Sequence, residues 1–109
     1  MKQQWINVCS QQDLVEDAGV AALVQEQQIA LFYLAETAQV FALSNQDPVT
    51  GANVISRGLI AEVKGRLTVA APLLKQHYDL HSGQCLDKEE LSLQVWPARL
   101  DNGQVQILI

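Results

Sequence analysis

An all-β domain is what the sequence predicts, and three observations predict it. Apolar residues alternate in steps of two or come in short runs, turn-forming residues interrupt them, and no amphipathic stretch of helical period exceeds about three turns. Strands in this rhythm fold as a small sandwich or barrel of short antiparallel strands. The 109 residues, 49% hydrophobic and 17% charged, make one domain's worth of chain, residues 1–109, able to bury a core without metal or disulfide staples.

The elements follow in order. Trp5-Ile6-Asn7-Val8 reads as a first strand, and Ser10-Gln11-Gln12-Asp13 has the capping-box form that starts one or two helical turns through Glu16, ended by Gly19. Strand runs at Val20 to Val24 and Gln28 to Tyr33 flank Gln25-Glu26-Gln27, a spacing that suits a tight hairpin. Gln39 to Leu43 is the next strand, after a polar tip at Glu36-Thr37. Ser44-Asn45-Gln46-Asp47-Pro48-Val49-Thr50-Gly51-Ala52-Asn53 is dense in residues that bond their own backbone or fix φ, so it is a loop.

Leu59 to Val63 and Arg66 to Ala70 form a hairpin about Lys64-Gly65, where glycine supplies a positive φ. Ala71-Pro72-Leu73-Leu74 is a second loop, because Pro72 cannot donate to a sheet ladder. Gln76 to Leu80 and Cys85-Leu86 form another hairpin, and Asp87-Lys88-Glu89-Glu90 a solvated connector. Leu91 to Leu100 and Gln104 to Ile109 close the chain as a hairpin about Asn102-Gly103.

Charge and composition exclude several function classes. Seven Lys and Arg against twelve Asp and Glu leave a formal charge of -5, which repels phosphate backbones and anionic lipid heads and so argues against nucleic-acid or membrane-surface binding. Ile29 to Ala35, the longest apolar stretch, is far short of the roughly 18 residues a membrane span needs, and Met1 to Trp5 has no signal-peptide hydrophobic region. A cytoplasmic chain is expected, with Cys9 and Cys85 as simple thiols in a reducing compartment.

Catalytic motifs are missing as well. No G-x-S-x-G elbow, G-x-G-x-x-G or Walker arrangement occurs, and neither cysteine has an evident base beside it. His77, His81 and Cys85 are spaced four apart and would share one face of a helix. Gly83 and the Tyr78-Asp79-Leu80 run place them instead on a strand, a turn and the returning strand, where that spacing makes no common face, so no metal site is expected. Glu89 and Glu90 read as hydrated carboxylates rather than an acid–base pair.

Two loops in a β domain, one after Leu43 and one after Ala70, separated by a hairpin, resemble the cluster-binding part of Rieske domains, and the resemblance runs from Trp5 to Ile107. In that family the first loop carries C-x-H and the second C-P-x-H, two thiolates holding one iron and two imidazoles the other. Here the matching positions are Asn45 and Asp47 in the first loop, Ala71 and Leu74 in the second. The resemblance therefore implies a Rieske-like fold that binds no cluster, catalytic group or metal of its own, with Leu74 packing at the loop tips on the other loop or on a partner.

Within that fold, the ordered pattern Ser44-Asn45 with Asp47-Pro48, Ser56-Arg57-Gly58-Leu59, Pro72-Leu73 with Lys75-Gln76, and Asp79-Leu80 with Ser82-Gly83-x-Cys85-Leu86 looks like the small subunit of NAD(P)H-dependent assimilatory nitrite reductase. That resemblance implies a non-catalytic accessory to a large subunit carrying FAD, an iron-sulfur cluster and siroheme, which reduces nitrite to ammonia. The old ligand loops, irregular and exposed, become the expected contact surface, with Arg57 and Lys75 as candidate contacts because arginine pairs bidentately with carboxylates. Arg57 paired internally with Asp47 is the competing expectation. A cluster-less module of the same fold serving another redox complex, or a true electron-carrying ferredoxin, are the alternative functions.

Overall fold

The computed structural model describes residues 3–109; Met1 and Lys2, part of the N-terminal stretch read above, lie outside it. Ten strands run in sequence as β1 (Trp5–Ser10), β2 (Ala18–Val24), β3 (Gln27–Leu34), β4 (Gln39–Ser44), β5 (Leu59–Val63), β6 (Arg66–Ala70), β7 (His77–Asp79), β8 (Val95–Trp96), β9 (Ala98–Asp101) and β10 (Gln104–Leu108). They form three antiparallel sheets, in the orders β1-β10-β9, β2-β3-β4-β8 and β5-β6-β7. No helix among the described residues is long and apolar enough to cross a membrane.

The middle layer is the sheet built on β3. Its core Ile29-Ala30-Leu31-Phe32 is fully buried at every position, which explains why this segment reads as an unbroken apolar run rather than an alternation. Ile29 and Leu31 face one core with Val40, Trp96, Val105 and Ile107. Ala30 and Phe32 face the other, with Leu43, Ile55, Val69 and Tyr78. Full burial of side chains of this size stabilises by about 1.5–3 kcal/mol each, so β3 serves two cores at once.

Several turns need positive φ and three share one form. Gln25 and Glu26 (φ 49° and 66°), Lys64 and Gly65 (52° and 77°), and Asn102 and Gly103 (51° and 79°) are the paired turn residues of two-residue hairpins, a geometry whose twist matches that of the flanking strands. The first hairpin is thus tighter than the sequence suggests, because Gln27 already pairs with Val24.

Four expectations are corrected. The capping box is real, with Ser10 Oγ accepting from Gln12 N at 3.2 Å and Asp13 Oδ2 from Ser10 N at 2.9 Å, but it starts only a 3-10 turn, Gln11–Asp13. Leu14 ends that turn in extended backbone, and Gly19 lies inside β2, where a Cβ would come 2.4 Å from Ser56 O and 2.7 Å from the Phe32 ring. The glycine is there so that a second 3-10 turn, Ile55–Arg57, which the sequence reading missed, can lie against the sheet.

The run Leu91 to Leu100 is not one strand. Pro97 breaks it, so that β8 joins β4 in the middle sheet while β9 joins β10 in the outer one; a proline cannot donate within a ladder, and here it marks where the chain changes layer. Cys85 returns as a single bridge to Tyr78 rather than a strand. The Asp87–Glu90 connector is exposed as expected, and it also bonds back to the domain, Asp87 Oδ2 accepting from His77 N at 2.7 Å and Glu89 O from Gln84 Nε2 at 2.9 Å.

Gly19→Ala is expected to lower stability by about 1–3 kcal/mol, as overpacking against backbone does. Glu26→Gly, which relieves a side chain held at positive φ, raises it by about 0.5–1 kcal/mol. Urea unfolding of the two variants beside the parent chain checks both signs.

Candidate functional site

Both long loops rise from the core that contains Leu43, Ile55, Ala71 and Tyr78. The first is closed at its neck by a bridge between Gln46 and Asn53 and by Asp47 N donating to Ala52 O at 2.8 Å. The second is closed by Ala71 N donating to Gln76 O at 2.8 Å and Lys75 N donating to Ala71 O at 2.9 Å. Lys75 takes φ 61° to make that closure.

Three of the four positions matched to cluster ligands are not on the exposed surface where the sequence reading placed the loops. Asn45, Asp47 and Ala71 are buried, at 2%, 0% and 1% exposure, and only Leu74 is open, at 50%. Asn45 Oδ1 accepts from Ser56 N at 2.7 Å and its Nδ2 donates to Asn53 O at 3.4 Å. Asp47 Oδ1 accepts from Val49 N at 2.8 Å and Thr50 N at 3.3 Å. These two side chains are spent on shaping the first loop, an Asx-turn role the residue types allow. At the tips Val49 (47%), Leu73 (54%) and Leu74 present apolar surface.

An iron-sulfur cluster does not fit this donor set. It takes thiolates and imidazoles, whereas the four positions offer an amide and a carboxylate already bonded to backbone and two hydrocarbon side chains. Among the described residues no group of three or more His, Cys, Asp or Glu is placed to hold a metal ion. His77 instead sits beside Asp87, Nδ1 to Oδ2 3.4 Å, and His81 packs edge-on against Phe41 at 4.8 Å. Cys85 is buried. Burial, and next the Asp13 charge, push the Cys9 thiol up, so it stays protonated.

Charge at the loop end runs against that of the whole chain. Between residues 44–58 and 71–76 the only carboxylate is Asp47, which is buried, while Arg57 and Lys75 are exposed and make no ion pair among the described residues. The alternative Arg57–Asp47 pair is not formed: Asp47 is buried, with Oδ1 accepting from the Val49 and Thr50 N–H groups, while Arg57 stays exposed. Other arginines are engaged: Arg66 Nε holds Asp79 Oδ2 at 2.8 Å, and Arg99 stacks 4.0 Å over Trp5 and bonds Gln106. A separate groove of about 490 Å³, lined by Phe41, His81, Trp96 and Arg99, shares no residue with either loop.

The sequence reading missed Asp79 and Tyr78 as supports of this end. Burial works against the Asp79 charge, but N–H bonds from Ser82 at 3.0 Å and His81 at 2.7 Å, with Arg66, outweigh it and hold its carboxyl below the usual range. Tyr78 is fully buried; that burial first, and then the charges of Asp47, Cys85 and Asp87, push its phenol up to about 12.

Comparison with known proteins places these features in a family. A family profile described as Rieske-like [2Fe-2S] domain matches residues 4–108. The nitrite reductase (NADH) small subunit of Salmonella typhimurium is 45% identical over 104 residues, covering 95% of this chain and 96% of that one. The chain belongs to the nitrite reductase small-subunit family, within the Rieske-like domains. The solution structure of the Escherichia coli protein NirD superposes with a TM-score of 0.89 at 42% identity, covering 98% of this chain and 97% of that one. A third relative differs in architecture: the nitrite reductase [NAD(P)H] large subunit of Klebsiella oxytoca matches 94% of this chain at 38% identity within only 11% of its own length.

The titrations give opposite pH limits. Tyr78, raised when folded, stabilises fully below its ordinary value of 10.0, and that contribution is lost as pH rises toward about 12; the loss is on the order of 2–3 kcal/mol. Asp79, lowered when folded, stabilises above the ordinary carboxylate range and loses its contribution as pH falls below it. Melting curves from pH 2 to 12 check both limbs, and Tyr78→Phe is expected to flatten the alkaline one alone.

Proposed function

We propose that the chain is the small, non-catalytic subunit of an NAD(P)H-dependent nitrite reductase of the cytoplasm, and that it acts by binding the large subunit. Its residues 1–109 work as one domain. FAD, an iron-sulfur cluster and siroheme belong to the large subunit, which carries the six-electron reduction of nitrite to ammonia. Electron transfer needs a redox centre, and this chain's donor set suits none, so its contribution is stabilising, docking or orienting the large chain.

The observation that carries this reading is a Rieske-like scaffold whose ligand positions are Asn45, Asp47, Ala71 and Leu74, in a chain similar to named small subunits over nearly its whole length. The Klebsiella relative supports a close and equimolar association, since there a segment like this chain is part of the large polypeptide itself.

The loop end is the docking face in this reading. Apolar tips at Val49, Leu73 and Leu74 exclude water, and Arg57 and Lys75, free of carboxylate partners in their own loops, meet acidic residues of the large subunit. A buried apolar centre with a charged rim binds while keeping the approach selective.

The isolated chain is expected to be colourless, free of stoichiometric iron and inactive with NADH and nitrite. Co-expression with a large subunit, followed by nitrite-dependent NADH oxidation with and without this chain, tests the assignment; turnover by the small chain alone overturns it. Arg57→Glu should weaken assembly at least tenfold by pull-down or interferometry. Its melting temperature should stay within a few degrees, because surface changes away from special features cost less than about 0.5 kcal/mol.

A further inference from the structure

Three buried polar atoms near the loop bases have no hydrogen-bond partner among the described residues: Asp47 Oδ2, Gln76 Oε1 and the Tyr78 hydroxyl. Asp47 and Tyr78 are wholly buried and Gln76 is 7% exposed. Protein interiors pair nearly all such atoms, so three orphans in one region of a well-packed core call for a common partner.

They come from both loops. Asp47 belongs to the first, and Gln76 closes the second through its bond from Ala71 N. Tyr78 follows Gln76 by two, and both side chains are buried where the chain enters β7. The Tyr78 ring shares its core with Leu43 and Ile55, which bracket the first loop, and the Asp47 charge acts on the Tyr78 phenol.

The donor and acceptor complement of the set is decisive. A carboxylate oxygen and an amide oxygen accept, and a phenol donates. One water molecule answers all three, giving its two protons to Asp47 and Gln76 and receiving that of Tyr78. Buried waters make about three such bonds. An anion is repelled by the carboxylate, and Cys85, the one thiol of this core, falls short of the ligand set a soft metal takes.

We propose that Asp47, Gln76 and Tyr78 form a buried site for a single water molecule that ties the two loops together. Cluster-bearing relatives of the fold tie the same loops through iron, with ligands from each. The water site supplies a metal-free brace for the loop end, and it stands independently of what that end binds.

A double-mutant cycle on the full chain tests it by urea unfolding at neutral pH. Asp47→Asn keeps the Oδ1 that turns the first loop, and Tyr78→Phe keeps the ring. Each is expected to raise the unfolding constant about tenfold, with the double variant at least fivefold short of the product; a product met within twofold overturns the shared site. Should Asp47→Asn not fold, Gln76→Met replaces it in the same cycle with the same criterion.

Nuclear magnetic resonance of the unmodified protein supplies a second readout. A long-lived water cross-peak to the Tyr78 ring protons is expected, and its absence overturns the proposal. Exchanging sodium chloride for potassium or ammonium chloride at equal ionic strength should leave the unfolding constant unchanged. A specific gain above fivefold with either salt would make the occupant a cation and overturn the water assignment.

Discussion

Burial of β3 on both faces is the constraint on which the rest of the molecule depends. Ile29 and Leu31 point to one core and Ala30 and Phe32 to the other, so the strand cannot slip by one residue without exchanging the two sets. Everything outside it is arranged to cover those faces. One side takes the β1-β10-β9 sheet, which holds both ends of the described chain through Gln4 and Ile109. The other takes β5-β6-β7, which carries the second loop and packs against the base of the first.

That division separates an apolar half from one with buried polar groups. The half with Val105, Ile107 and Trp96 is apolar and regular. The loop half places polar groups in its interior: Asn45, Asp47, Thr68, Gln76 and Asp79 are all buried. Asn45 and Asp79 repay burial by bonding backbone N–H groups that would otherwise be orphaned. Arg66 adds charge to the Asp79 knot and pins β6 to the turn after β7. Hydrogen-bonded Asn45 and Asp47 thus stand at two of the four positions where cluster-bearing Rieske domains have ligands, and the loop tips leave apolar and cationic side chains exposed.

Legibility varied with how local the deciding interaction is. The β5–β6 hairpin was readable because Lys64-Gly65 carries its turn in its own residues, and the resemblance to the small-subunit family was readable from motifs in order. The break at Pro97 was also written in the chain, but a long alternating run concealed it. Gly19 was misread as a turn ender because its reason, the approach of Ser56 and Phe32, lies far along the sequence. The loops were read as exposed from their irregularity, yet Asn45 and Asp47 turn inward to bond backbone, a choice polar residues make only once a neck is closed around them.

Composition, strand rhythm and turn chemistry by themselves determined the all-β class and the hairpins, because each is a property of residue type or of neighbours a few positions apart, and the resemblance to Rieske domains added the four ligand positions that lack thiolate or imidazole. Tertiary structure alone decided which side chains are spent inside the loops and which remain outside. Asp47 lies inside the first loop with Oδ1 on the Val49 and Thr50 N–H groups, while Arg57 stays outside without an ion pair among the described residues, a partition that exists only once the chain has folded.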